Sequence, residues 1–348
     1  LHNLSRAVIV LDEVQTLPIA LLQPIVNVLD TLASERYGSS VVLCTATQPA
    51  LEVGNKFFEG FGRGRVQDIV PPEQVKTHFK KLERVTYEPR LEPVGWATLA
   101  AEISGLSQCL VVVNTRKDAL KLLDELEKLE ADSLFHLSTL LCGAHRREVL
   151  DEIKSRLKPD TSKSVRLIST SVIEAGVDLS VPTVYRALGP LERIVQAAGR
   201  CNREWRDENV LGKVIVFVPE GGGAPKGEYA TALAEAADQI RKGVDFSDPN
   251  IFEAYYTRLY QGVKTDGYGI QPLRQSFDFP EVAERFKLIR DDTVPVVVPF
   301  DAKAKGLIDK VRRRGFPLAK EHRALQPYVV ALRRKEVEEV ATLIEDLE

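Results

Sequence analysis

The chain has 348 residues, enough for about two domains, and its 44% hydrophobic and 28% charged residues are ordinary for a soluble globular protein. A net charge of −3 excludes nucleic-acid binding through bulk charge, so any such binding must come from a local groove. No apolar run reaches membrane-spanning length, no signal peptide is visible, and Cys44, Cys109, Cys142 and Cys201 form no CxxC pair, so the cysteines read as reduced thiols of a cytoplasmic protein.

Ala7 to Leu11 is a continuous apolar run, the pattern of a central parallel strand, and Asp12 and Glu13 follow at its carboxyl end. Leu21, Leu22, Ile25, Val26, Leu29 and Leu32 mark one face of a helix, with Pro24 acceptable only in its first turn or at a kink. Ser40 to Cys44 is a second strand, running into Thr45-Ala46-Thr47. Two strands and one helix are too little for an independent α/β domain. The sequence begins at Leu1, contains no methionine and carries no GxxxxGK[ST] phosphate loop, so the missing strand and loop are expected upstream. Residues 50–93, rich in glycine and proline, read as irregular, with a domain linker near 85–95.

A second α/β unit follows. Strands are expected at Cys109–Val113, Leu134–Leu137, Val165–Ser169, Thr183–Ala187 and Lys213–Val218, alternating with helices at 116–130, 145–157 and Leu191–Cys201. That alternation means a wound parallel sheet. Gly221-Gly222-Gly223-Ala224-Pro225 is a break, residues 226–264 read as helices, and 265–300 as irregular. The tail from 301 to 348 carries a basic cluster (Lys310, Arg312, Arg313, Arg314), a strand near Tyr328–Leu332 and a last helix.

Three segments carry chemistry. In Gln196-Ala-Ala-Gly199-Arg200-Cys-Asn-Arg203, two arginines three residues apart share a helical face and can converge on one anion, each with a planar fork that matches phosphate oxygens. Asp12 and Glu13 stand where ligands of open α/β sheets collect. One carboxylate can hold magnesium, directly or through water, and the other can orient or deprotonate an attacking water. Ser169 to Asp178 lies between them in the chain. Together the three read as the phosphate end of a nucleotide-driven motor. The plainer readings are an acidic loop, a helix with surface arginines, a turn at Gly176 and a helix cap at Asp178. Thr115 and Thr170 end strands, where their hydroxyls could hold DNA phosphates without reading sequence. His136 and His145 lack the spacing of a metal site and read as structural or DNA-adjacent, and the basic cluster reads as a helix C-terminus complementing its dipole, with contact to displaced DNA as the alternative.

Asp12-Glu13-Val14-Gln15, Thr45-Ala46-Thr47, Val113-Asn114-Thr115, Ser169 to Asp178 and Gln196 to Arg203 resemble motifs II to VI of superfamily 2 helicases, in that family's order. Asp12-Glu-Val-Gln-Thr-Leu-Pro18, His136-Leu-Ser-Thr139, Ala144-His-Arg-Arg147 and Val184-Tyr-Arg-Ala-Leu188 resemble more narrowly the CRISPR-associated helicase–nuclease of type I systems, in the subtype I-C branch. The resemblance implies two tandem RecA-like domains that close on ATP and move along single-stranded DNA, recruited by the Cascade–crRNA complex, without a membrane partner. An HD nuclease domain is implied for the complete protein and is absent here.

On this reading residues 1–90 are the C-terminal part of a first, incomplete RecA-like domain, 91–220 a second, and 221–348 a linker and an accessory α+β region. Asp12 would bind Mg2+, Glu13 would position water, Gln15 would couple the nucleotide to the second domain, and Gln196 would belong to the catalytic set. Arg200 and Arg203 would be arginine fingers, and alanine at either is expected to lower turnover and leave the fold intact. Thr45, Thr47, Gly176, Asp178 and Gly199 would bind the nucleotide or couple it to closure. Asn114, Thr115 and Thr170 would contact DNA. Another superfamily 2 repair or RNA helicase, and a non-catalytic DNA- or Cascade-binding piece, stand as alternatives.

Overall fold

Two parallel sheets of unequal size set the architecture. The computed structural model describes residues 2–52, 58–158, 160–161, 163–174, 176–204, 210–288 and 292–345. The smaller unit holds β1 (Val8–Asp12), α1 (Leu22–Leu32) and β2 (Ser40–Cys44). β1 and β2 pair in parallel with Asp12 opposite Cys44, which sets the acidic loop beside Thr45. Pro24 sits in the first turn of α1, where its missing N–H has no helical partner to lose. β1 departs from the fully buried strand expected of its sequence. Ile9 and Leu11 pack inward, whereas Val8 is 70% and Val10 59% exposed.

The stretch expected to be irregular folds in part. α2 (Pro72–Lys81) precedes β3 (Val85–Val94), a ten-residue strand that pairs in parallel with a later strand, β8. The linker expected near 85–95 is therefore part of a sheet. Pro89 and Pro93 misdirect the sequence reading because prolines are confined to edge strands and bulges. β3 is such an edge, with a register shift between Arg90 and Pro93.

After α3 (Trp96–Ser104) come β4 (Gln108–Val112), α4 (Arg116–Lys128), β5 (Leu134–Leu137), α5 (Gly143–Arg156), β6 (Val165–Ser169), β7 (Thr183–Ala187), α6 (Leu191–Ala198) and β8 (Gly212–Pro219). The six strands run parallel in the order β3-β8-β7-β4-β6-β5. β4 and β6 are buried along nearly their whole length, as a sheet covered on both faces requires. Leu99 and Ile103 of α3 with Ala119, Leu122 and Leu126 of α4 cover one face. Ile153 of α5 and Ala197 of α6 cover the other.

α7 (Glu228–Arg241) and α8 (Ile251–Gly262) bind the two units into one core. Ala232 and Ala236 of α7 and Phe252, Tyr255 and Leu259 of α8 pack with Val26 and Leu29 of α1 and with Leu191 and Ile194 of α6. The segment after α8 returns to α1, with Gln23 N–H donating to Thr265 and Gly267 N–H to Ala20, both at 2.9 Å. α9 (Ile270–Gln275) and α10 (Phe279–Arg285) lie in the region expected to be irregular. β9 (Thr293–Val297), α11 (Ala302–Arg314), α12 (Ala319–Leu325), β10 (Val329–Arg333) and α13 (Arg334–Glu339) complete the tail. β9 and β10 pair antiparallel, and Cys142 at the start of α5 packs with Tyr328 and Val330. No helix among the described residues is long and apolar enough to cross a membrane.

Candidate functional site

The acidic loop is held in a defined shape by its own side chains. Asp12 ends β1 and accepts the Glu13 N–H on Oδ1 at 3.1 Å. Glu13 adopts φ +53, ψ +47, the left-handed region that non-glycine residues seldom occupy. Gln15 donates to Glu13 Oε2 at 2.5 Å, and the Thr45 hydroxyl donates to Gln15 Oε1. The Thr45 oxygen in turn accepts the Thr47 N–H at 2.9 Å. Gln15 thus joins the loop after β1 to the loop after β2. Thr47 is fully buried, with its hydroxyl toward Tyr256 of α8.

The arginine row lies on the larger unit. Gln196 is on α6 near Arg193, whose guanidinium is 3.5 Å from Gln196 Oε1. Gly199 ends the helix, and a Cβ there would stand only 3.2 Å from the Gln196 carbonyl. Arg200 is buried, at 8% exposure. It donates Nε to the Ile173 carbonyl at 3.2 Å and Nη2 to the Glu174 carbonyl at 2.6 Å. Arg203 is exposed and pairs with Asp178 at 2.9 Å. Gly176 takes φ +70, and Ala175 before it lies outside the described residues. The Arg200 guanidinium is held below its ordinary value by burial first and by Arg203 second, while Asp178, Glu13 and Glu174 push the other way. Glu13 belongs to the smaller unit, so Arg200 lies within electrostatic reach of the acidic loop. Beside them a cleft of about 220 Å³ is walled by Gln15 and Thr16, by Glu192 and Arg193 of α6, and by Tyr256 and Tyr260 of α8.

The residues expected at the DNA face have partners inside the protein. Asn114 donates to the Leu188 carbonyl at 2.8 Å and accepts from Arg186 and from Tyr229, each at 2.7 Å. The Thr115 hydroxyl is the N-cap of α4, accepting the Asp118 N–H at 3.1 Å and donating to its carboxylate at 2.7 Å. Thr170 is buried at the end of β6, 7% exposed. His136 Nδ1 lies 3.2 Å from the Ile168 carbonyl, and burial pulls its pKa down. His145 stacks on Phe300 at 4.7 Å. The basic cluster is the last turn of α11, where Arg314 pairs with Glu321 at 2.5 Å and Arg312 with Glu345.

One buried ion network was not anticipated from the sequence. The Glu174 side chain has no exposure and meets Arg186 of β7 at 3.3 Å and Arg193 of α6 at 3.0 Å. Arg186 is itself 1% exposed. Its signal was present in the sequence as an arginine inside an otherwise apolar strand, Val184-Tyr185-Arg186-Ala187, because a charge there must find a partner.

Two carboxylates in an exposed loop, each with one oxygen that accepts no hydrogen bond among the described residues, would fit a magnesium ion that keeps part of its water shell. They do not form an all-protein cage, and no group of three metal-binding side chains occurs among the described residues.

Residues 106–206 match the family described as CRISPR-associated nuclease/helicase Cas3, C-terminal. The chain is 28% identical over 302 residues to the CRISPR-associated nuclease/helicase Cas3 of Haloferax volcanii, covering 62% of this chain and 32% of that protein. It is 26% identical over 235 residues to the putative CRISPR-associated nuclease/helicase Cas3 of Methanocaldococcus jannaschii, covering 63% of this chain and 30% of that one. The chain therefore spans about a third of the length of these curated relatives. Among solved structures, T. fusca Cas3 with AMPPNP aligns at a TM-score of 0.64 and 16% identity, over 94% of this chain and 47% of that chain. A chain of a CRISPR RNA-guided surveillance complex in a pre-nicking state aligns at 0.58 and 17%, over 93% and 49%. At these identities the structural matches establish the fold, a six-stranded parallel sheet beside a smaller one, as in RecA-like helicase domains. The family match to residues 106–206 and the curated relatives support a kinship with the CRISPR-associated Cas3 helicases.

Proposed function

We propose that this chain is the motor part of an ATP-dependent single-stranded DNA translocase in a type I CRISPR interference effector, working in the cytoplasm on target DNA opened by Cascade. In that reading residues 1–90 belong to the first RecA-like domain, 91–220 to the second, and 221–348 form a linker and accessory region. The wording of the motifs favours the subtype I-C branch. The observation that carries the reading is the opposition of two loops. Asp12 and Glu13 leave one parallel sheet at its carboxyl end, and Arg200 on the other unit stands within electrostatic reach of Glu13.

Nucleotide chemistry follows from that opposition. Asp12 would hold magnesium, directly or through water, and that ion when bound would supply screening of phosphate charge. Glu13, fixed by its left-handed backbone and by Gln15, orients the attacking water. Gln15 also touches Thr45, so a shift of the acidic loop is felt in the loop after β2. Arg200 and Arg203 stabilise charge on the transferred phosphoryl group, a role worth roughly 10³ to 10⁵ in rate in other nucleotide hydrolases. Asp178 holds Arg203 until phosphate competes for it. Thr115 and Thr170 mark strand ends from which backbone amides can follow a DNA backbone without reading its bases. Curated relatives named nuclease/helicase, nucleotide complexes of T. fusca Cas3 and a surveillance complex among the structural matches support the reading.

The test is ATP turnover by a chain that carries a phosphate loop together with this segment, with and without single-stranded DNA. Arg203→Lys is expected to recover little of the turnover lost in Arg203→Ala, because an ammonium lacks the fork geometry. Full activity in both variants would return Arg203 to the surface and remove the finger assignment.

A further inference from the structure

Glu174 meets the arginine row twice. Its carboxylate pairs with Arg193, and its carbonyl accepts Arg200 Nη2 at 2.6 Å. Arg193 and Arg200 are seven residues apart, two turns of a helix, and so lie on the same side of α6 and its end. The carboxylate also reaches Arg186, rooted in the middle of the large sheet. The loop that carries Glu174 is a single 3-10 turn, Ser171–Ile173, with little regular backbone bonding of its own. Its position is set by what its side chains grip.

Stability alone does not account for three charges in this place. A buried ion pair is often matched or bettered by apolar residues of the same volume, since desolvation consumes the Coulombic gain. What a buried carboxylate with two arginine partners does provide is direction, because each partner fixes it along a different line. Arg186 Nε is buried without an acceptor among the described residues, so the cluster is not arranged for full hydrogen bonding. Arg186 Nη1 donates to Asn114 at 2.7 Å, which ties the same cluster to the end of β4.

We infer that Glu174 is a positioning residue: its carboxylate, gripped by Arg186 and Arg193, holds the Ile173 and Glu174 carbonyls where they aim the Arg200 guanidinium. Two of the Arg200 nitrogens are occupied by those carbonyls, and Nη1 has no partner among the described residues. Nη1 is then the atom left for a partner outside this loop. The functional consequence rests on the reading of Arg200 as a phosphate-facing finger; the positioning itself does not.

The test reads Arg200 directly in the 348-residue chain. In ¹⁵N–¹H spectra of arginine Nε–H groups, assigned with Arg200→Lys, the Arg200 signal is expected to exchange slowly with water because it donates to Ile173. Glu174→Gln keeps the shape and removes the charge, and is expected to accelerate that exchange by about tenfold or more. Arg193→Gln, a change at the cleft rim, is expected to move it in the same direction by less. Thermal unfolding checks that each variant folds, and Arg193→Gln decides the matter if Glu174→Gln does not fold. An Arg200 signal unchanged in the folded variants would overturn the inference. In a chain that also carries a phosphate loop, release of Arg200 should lower kcat and leave KM nearly unchanged. Release without loss of kcat would instead refute the finger role and leave the positioning intact.

Discussion

Arg200 and Arg203 look equivalent in sequence, and the structure makes them different. Arg200 is 8% exposed and donates to two backbone carbonyls, whereas the side chains of Arg203 and its partner Asp178 are 42% and 80% exposed. Arg200→Ala removes two hydrogen bonds from a charged donor and leaves two carbonyls in a largely buried loop. Hydrogen bonds to charged groups contribute roughly 1.5 to 3 kcal/mol, and an orphaned buried acceptor costs roughly 1 to 3. Allowing water to enter the vacated space, the expected loss is about 2 to 4 kcal/mol. Arg203→Ala removes a solvent-screened surface pair, worth about 0 to 1 kcal/mol. Urea unfolding of the two variants beside the wild type reads the difference as separate midpoints at a common slope. Arg200→Lys should recover only part of the loss, because an ammonium cannot reproduce the fork. Equal destabilisation by the two alanines, or none from Arg200→Ala, would refute the distinction. The expectation that both substitutions leave the fold intact would then hold after all.

Other outcomes follow from single contacts. Thr115→Val removes the N-cap of α4 and is expected to cost about 1 kcal/mol, while Thr115→Ser keeps the cap; equal stability of the two in urea would show that the hydroxyl does not cap the helix. Burial raises the Glu192 carboxyl above its ordinary value. The folded state therefore binds that proton more tightly, and the stability it contributes is complete below the unfolded pKa and lost as pH rises through the folded one. Glu192→Gln should raise the melting temperature at neutral pH, with the gain vanishing toward about pH 4; a pH-independent difference would exclude this origin. Burial pushes the Cys109 and Cys201 thiols up to about 12, and Cys142 is 2% exposed. Thiol titration of the folded chain should show one fast group, lost in Cys44→Ser, and a fast phase that survives that change would contradict the burial of the others.

Much of the larger sheet was legible because its strands are apolar runs divided by helices of clear period, as at Cys109–Val113 followed by Ala119, Leu122 and Leu126. β3 was not, because Pro89 and Pro93 are the signature of a linker and only the identity of a strand's neighbour shows that it is an edge. The exposure of Val8 and Val10 was not legible either, since hydrophobicity marks a strand as fit for burial and not what covers it. In the candidate site, chain order and spacing pointed to Asp12, Glu13, Arg200 and Arg203. The link from Gln15 to Thr45 and the grip of Glu174 on Arg186 and Arg193 depend on contacts between residues far apart in sequence. The hydroxyl of Thr115 was read as free for DNA because a cap and a phosphate ligand have the same residue type, and only the position of Asp118 separates them.

We propose that Asp12 and Glu13 serve nucleotide hydrolysis against the arginine row. Glu13→Gln tests it most directly, measured as DNA-stimulated ATP turnover in a chain that includes the phosphate loop, with nucleotide binding measured in parallel. Glutamine keeps the shape of the loop and its contact with Gln15 while removing the carboxylate proposed to orient water. Magnesium-nucleotide binding is expected to stay close to that of the wild type and turnover to fall at least a hundredfold, in the range of roughly 10² to 10⁴ that general base catalysis contributes. Turnover near the wild-type rate would contradict that role for Glu13.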